Sequence, residues 1–176
     1  MPDDPNQHHR RSIRLEEFDY SSPGVYFVTV VTYHRVRMFG EVVEGEMKLN
    51  QFGLIVAHAW EWLPARYPYV ILDPYIVMPN HFHGILRIIE LDDFCKGGSR
   101  PALTEINKIK PLGELIGAFK TISAKQINLF RSTPGLPVWQ RNYYEHIIRN
   151  QLELEDIAGY ILANPENWNV DPETSQ

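Results

Sequence analysis

Apolar positions along this chain gather into seven stretches whose spacing sorts them into strands and helices. Val25 to Tyr33 is dense in β-branched and aromatic residues behind Pro23-Gly24, which predicts a buried strand after a turn. Between Gln51 and Leu63 the residues Phe52, Val56, Ala59, Trp60 and Leu63 recur at helical spacing, and Pro64 predicts the end of that helix. Tyr69 to Met78 and Phe82 to Ile89 read as two strands that pair with each other across Pro79-Asn80, because proline cannot donate to a ladder. Leu112, Leu115, Ile116, Phe119, Ile122, Ile127 and Phe130 outline a second helix, and Val138 to Ile148 reads as a fourth strand. A last helix begins at Asn150, whose side chain can cap it with Glu153 at the third helical position, and stops near Asn164-Pro165.

Strand, helix, strand, strand, helix, strand, helix is an α+β order. It predicts a ferredoxin-like antiparallel sheet with helices packed on one face, followed by a C-terminal helix. Residues 1–20 are polar and carry the cluster His8-His9-Arg10-Arg11, which predicts a mobile basic arm; 21–170 then form a single domain and 171–176 a polar tail. Residues 91–110 contain Gly97-Gly98 and Pro101 without periodicity, and predict a long surface loop.

Composition narrows the chemistry. At 176 residues and 44% hydrophobic content the chain can bury one sizeable core. Its single cysteine, Cys95, excludes a disulfide framework and any zinc site built from several thiolates, so a metal must be held by His, carboxylate or amide groups. No apolar run reaches the roughly 20 residues of a membrane span, and Met1-Pro2-Asp3-Asp4 lacks a secretion pattern, which together predict a cytoplasmic protein. The net charge of −5 conceals a basic island: residues 96–149 carry 9 Lys and Arg against 3 acidic residues. Arg100, Lys108, Lys110, Lys120, Lys125, Arg131, Arg141 and Arg149 either neutralise the acidic segments or form a surface for a polyanion.

Two constellations carry candidate reactivity. In His81-Phe82-His83, at the start of a strand, the two imidazoles share a face while Phe82 points to the other layer. Such a pair can share a cation, although two core histidines have the same spacing. In the last helix Leu154, Ile157, Ala158, Ile161 and Leu162 define an apolar stripe, with Tyr160 and Asn164 one turn apart on its edge. Two imidazoles and an amide oxygen leave open positions on a divalent ion, and the missing negative charge favours Mg²⁺ or Mn²⁺ over zinc. A phenol with pKa about 10 becomes a useful nucleophile when a metal makes its phosphate target electrophilic. The combination describes covalent phosphoryl transfer by tyrosine. Tyr143 and Tyr144 are competing phenols, but on a strand they point to opposite faces. His146 could serve as a proton shuttle or a ligand, or could simply hydrogen-bond to phosphate or backbone.

Three segments, Tyr75-Ile76-Val77-Met78-Pro79-Asn80-His81-Phe82-His83-Gly84, Trp139-Gln140-Arg141-Asn142-Tyr143-Tyr144 and Tyr160-Ile161-Leu162-Ala163-Asn164-Pro165, together resemble the REP-associated tyrosine transposases, within the single-tyrosine, His-hydrophobic-His (HUH) nuclease superfamily. The likeness spans about Arg10 to Trp168 and includes Ser12-Ile13-Arg14-Leu15. It implies a ferredoxin-like, bacterial, nucleoid-associated enzyme that cuts single-stranded DNA beside a hairpin through a 5′-phosphotyrosine and rejoins strands by reversal. By position it implies Tyr160 as nucleophile and His81, His83 and Asn164 as ligands of Mg²⁺ or Mn²⁺. Arg100, Lys108, Lys110, Lys120, Lys125 and Arg141 become candidate DNA contacts, and the working unit a monomer or homodimer. Two other readings stay open: a catalytically silent hairpin-DNA-binding protein, and a metallohydrolase that uses water as nucleophile.

Overall fold

The computed structural model describes residues 22–90 and 109–168. The predicted basic arm, most of the 91–110 loop with Cys95, Arg100 and Lys108, and the polar tail lie outside the described residues.

Among the described residues six strands and three α-helices follow in the order β1 (Gly24–Val31), β2 (Gly40–Val43), β3 (Glu46–Leu49), α1 (Gln51–Arg66), β4 (Val70–Val77), β5 (His81–Ile88), α2 (Leu112–Phe130), β6 (Tyr144–Ile148) and α3 (Gln151–Ala163). Four strands form the main sheet in the order β4-β5-β1-β6, with every neighbouring pair antiparallel. This is the ferredoxin-like arrangement that the sequence predicts. Strands β2 and β3 make a separate hairpin that hydrophobic spacing does not reveal. Its turn, Glu44-Gly45, has φ of 53° and 78°, the two left-handed positions of a type I′ turn.

Alternation along β1 divides the sheet into two packing faces. Tyr26, Val28 and Val30 point towards α1 and α2, where they join Trp60, Leu63, Phe82, Leu86, Leu115 and Phe119 in the main core. Phe27 points the other way and joins Ile85, Ile148 and Ile161 under α3, with Leu154, Ile157 and Ala158 packed beside them. Helices α1 and α2 thus cover one face, and the C-terminal helix covers the other. Gly84 of β5 allows close approach on the main-core side: a Cβ there would sit 2.9 Å from the Trp60 ring and 2.7 Å from that of Phe82.

Two element boundaries and one stripe residue differ from the sequence reading. Helix α1 runs past Pro64 to Arg66, because the Tyr67 N–H donates to the Leu63 carbonyl at 2.8 Å and closes the last turn. Strand β6 begins only at Tyr144; Trp139 makes an isolated bridge to Thr32, just past β1, while the Lys120 ammonium gathers the carbonyls of Gln140 and Arg141 at 2.7 and 2.9 Å. Leu162 is 67% exposed and off the buried stripe. The predicted start of α3 matches: the Asn150 side chain accepts from the Glu153 N–H at 2.9 Å.

Candidate active site

The α3 face of the sheet gathers the residues singled out by the His-x-His spacing and the terminal helix. Thr29 pairs with His83 on one side and Tyr144 on the other, so the three side chains share this face. His81 and His83 are 0% and 2% exposed, with ring centroids 4.5 Å apart. Phe27 stacks on His83 at 5.5 Å and meets the edge of Tyr160 at 6.4 Å. Buried Ile161 anchors α3, and the preceding residue, Tyr160, is thereby held at the rim, 44% exposed, with its hydroxyl 3.4 Å from His83 Nε2. Asn164, one turn further on, is 1% exposed at the end of the helix.

The Nδ1 atoms of both imidazoles face hydrogen-bonding side chains. His81 Nδ1 lies 2.8 Å from Asn80 Oδ1, an acceptor, so the proton sits on Nδ1 and leaves the Nε2 lone pair as the basic site. His83 Nδ1 lies 2.8 Å from the Thr29 hydroxyl and its Nε2 3.4 Å from that of Tyr160; on the tautomer that donates Nδ1–H to Thr29, Nε2 accepts the Tyr160 O–H. Nearly buried imidazoles with Nδ1–H held by an outer partner and basic Nε2 are the form in which histidine binds metals. Among the described residues no three His, Cys, Asp or Glu side chains cluster for a metal, so an ion here would need amide, hydroxyl or water oxygens besides the two histidines. Asn164, buried at the end of α3, carries an amide oxygen of that kind.

The remaining candidates, Tyr144 apart, fall elsewhere. Tyr143 packs against the main core, and Tyr144, half exposed, reaches Phe27 at 6.2 Å on the histidine face. His146 Nε2 meets the Glu153 carboxylate at 2.7 Å, which ties β6 to the first turn of α3. The Arg149 N–H and then His146 hold the Glu153 carboxyl below its ordinary range. Lys110 pairs with Glu114 at 2.6 Å. The Lys120 ammonium is turned onto the carbonyls of residues 140–142, and burial pulls its pKa down to about 8. Lys125 and Arg141 are exposed.

Sequence reasoning passed over three residues here. Thr29 carries no chemical signature in a strand, and only the register opposite His83 reveals it. Trp168 stacks on His81 at 5.9 Å, and the Arg37 guanidinium lies 5.4 Å over the Trp168 ring. Arg37 belongs to the net-acidic first half of the chain, where charge counting does not look.

A four-stranded antiparallel sheet with two helices on one face, and on the other a helix that sets a tyrosine against a His-x-His pair, defines a transposase-like fold. The solved structure of a REP-associated tyrosine transposase bound to a REP hairpin shares that fold with a TM-score of 0.55 at 19% identity, over 88% of this chain and 74% of its own. A Haemophilus influenzae protein, described as uncharacterized, is 37% identical over 168 residues, 93% of this chain and 92% of that protein. A second Haemophilus influenzae protein, named as a REP-associated tyrosine transposase, is 24% identical over 147 residues, 84% of this chain and 73% of that protein. No protein-family model matches the chain. The chain belongs to one family with the first Haemophilus protein, and its resemblance to the REP-associated tyrosine transposases holds in both sequence and fold. Among the described residues no helix is long and apolar enough to cross a membrane.

Proposed function

We propose that this protein is a DNA strand-transferase that cleaves and rejoins single-stranded DNA beside a hairpin, with Tyr160 as covalent nucleophile. The observation that carries the reading is the Tyr160 hydroxyl 3.4 Å from His83 Nε2, at the rim of a site whose histidines are otherwise enclosed. His81, His83 and Asn164 would hold Mg²⁺ or Mn²⁺. When bound, the ion supplies Lewis-acid polarisation of the scissile phosphate.

The chain's own residues account for the rest. Asn80 and Thr29 hold the Nδ1 sides of the two imidazoles. On the Nδ1–H tautomer His83 Nε2 would hold either the Tyr160 O–H or a cation, and the phenol would leave that nitrogen before reacting. Its exposure lets a strand approach it from solvent. The phenolic oxygen attacks phosphorus, the P–O3′ bond breaks, the departing 3′ oxygen gains the proton the phenol loses, and the 5′ phosphate remains on Tyr160. Attack by a 3′-hydroxyl reverses these bond changes and rejoins DNA. The named relative and the hairpin-bound solved structure support hairpin DNA as the substrate class.

The test is incubation of the protein with end-labelled hairpin DNA bearing a single-stranded flank, in Mn²⁺. A denaturation-resistant protein–DNA adduct is expected, and Tyr160→Phe should abolish it. An adduct that survives in the variant assigns the nucleophile elsewhere, with Tyr144 the next phenol on the same face. Turnover without any adduct makes water the nucleophile.

A further inference from the structure

The loop that leaves β1, Tyr33 to Arg37, is fastened at the histidine end of the sheet by distant parts of the chain. The Thr32 N–H donates to the Asn80 carbonyl at 2.9 Å, next to His81, and the Tyr33 N–H donates to that of Val138 at 2.8 Å. Met38 and Phe39 both donate to the Pro79 carbonyl, at 2.8 and 3.0 Å. The Thr32 hydroxyl closes the loop on the Val36 carbonyl at 2.9 Å. Within this frame His34 and Arg35 each stand at φ 54°, a left-handed conformation unfavourable for residues with a Cβ. Strain of this kind persists only where surrounding contacts over-determine it, and it concentrates at binding and catalytic sites.

The loop displays a particular chemistry. Tyr33 is exposed, and its ring centroid lies 4.0 Å from that of His34. Arg37 is exposed, one tryptophan ring away from His81. No acidic residue occurs between Thr32 and Phe39. Cations interleaved with exposed aromatic rings suit single-stranded nucleic acid, whose phosphates need neutralising and whose unpaired bases offer stacking faces. A closed duplex keeps those faces inside.

We propose that the Tyr33–Arg37 loop is a contact for single-stranded DNA beside the candidate active site, in which Arg37 takes a phosphate neighbouring the scissile one and the Tyr33–His34 pair stacks a base. The proposal rests on the single-strand cleavage reading above. It assigns the flank of the hairpin, rather than its stem, to this end of the sheet.

Fluorescence anisotropy of the full chain in EDTA tests it without any chemistry, using a labelled oligo-dT of about 12 nucleotides and a blunt hairpin with no flank. Arg37→Gln should weaken oligo-dT binding about threefold or more and lower the slope of log affinity against log salt by about 0.7, while Arg37→Lys keeps the slope. Tyr33→Ala should weaken oligo-dT binding about fivefold or more, and neither change should alter binding of the blunt hairpin. A role for Arg37 limited to packing on Trp168 would leave the salt slope unmoved and would overturn the proposal. So would equal losses on the blunt hairpin. If wild type forms the tyrosine adduct while Arg37→Gln and Tyr33→Ala bind oligo-dT normally, this contact alone fails. If the loop variants lose oligo-dT and wild type forms no adduct, the cleavage reading alone fails.

Discussion

Strand β5 presents different chemistry to its two sides. Towards α1 and α2 it gives Phe82, Gly84 and Leu86, packed against Trp60 and Phe119 in an aromatic core. Towards α3 it gives His81, His83 and Ile85, of which only Ile85 belongs to the small apolar cluster. The large core supplies most of the burial that stabilises the fold, and the thinly covered side can then carry polar groups and a half-exposed phenol. Substitutions one residue apart on the same strand should therefore fail in different assays.

The sharpest contrast comes from setting Phe82→Ala beside Tyr160→Phe. Phe82 is fully buried, with the rings of Trp60, Phe119 and Tyr75 at 4.7, 5.0 and 5.9 Å. Its truncation should cost about 3–5 kcal/mol in urea unfolding. Tyr160→Phe should leave stability within about 0.5 kcal/mol while removing the adduct. A Tyr160→Phe protein that unfolds as readily as Phe82→Ala would erase the division between the faces.

Thr29→Val probes the thinly covered side with a smaller change. Valine matches the shape but leaves the His83 Nδ1–H without its acceptor, so the Nε2–H tautomer becomes competitive. Mn²⁺ affinity, measured by electron paramagnetic resonance titration, should fall about 10- to 100-fold, and Thr29→Ser should restore it. Nitrogen-15 spectra of the metal-free protein should show Nδ1–H at both histidines. Nε2–H at His83 in the wild type would refute this account of Thr29 whatever the metal affinity.

The smallest effect concerns how α3 is held to β6. The Glu153 carboxyl, ordinarily near 4.5, is lowered in the fold, first by the Arg149 N–H and then by His146. A lowered carboxyl contributes stability above its unfolded value and loses it as pH falls through the folded one. Thermal melts of the wild type should therefore drop between about pH 5 and pH 3, and Glu153→Gln should narrow that drop. An unchanged drop would move the acid sensitivity to another carboxylate.

The parts legible in the sequence are those governed by local rules. A period of two puts His81 and His83 on one face, helical spacing puts Tyr160 and Asn164 one turn apart, and Asn150 with Glu153 marks the start of α3. What escapes depends on which distant group comes near. Lys120 looks like a surface cation when charges are counted, yet its ammonium serves the carbonyls that end the ladder before β6. The β2–β3 hairpin is short and interrupted by Glu41, Glu46 and Lys48, so only Glu44-Gly45 signals it. The loop after β1 takes its shape from the carbonyls of Pro79, Asn80 and Val138, which no window around Tyr33 contains.

Gly84 gives this arrangement a mechanical side. The residue follows His83 directly, and the indole of Trp60 lies so near its α-carbon that even a methyl group would push against two aromatic rings. An added side chain would lift the strand and tilt the neighbouring imidazole with it. The alignment of the polar site is thus borrowed from the fit of the hydrocarbon layer behind it, and a change never touching DNA could still spoil the aim of the histidines.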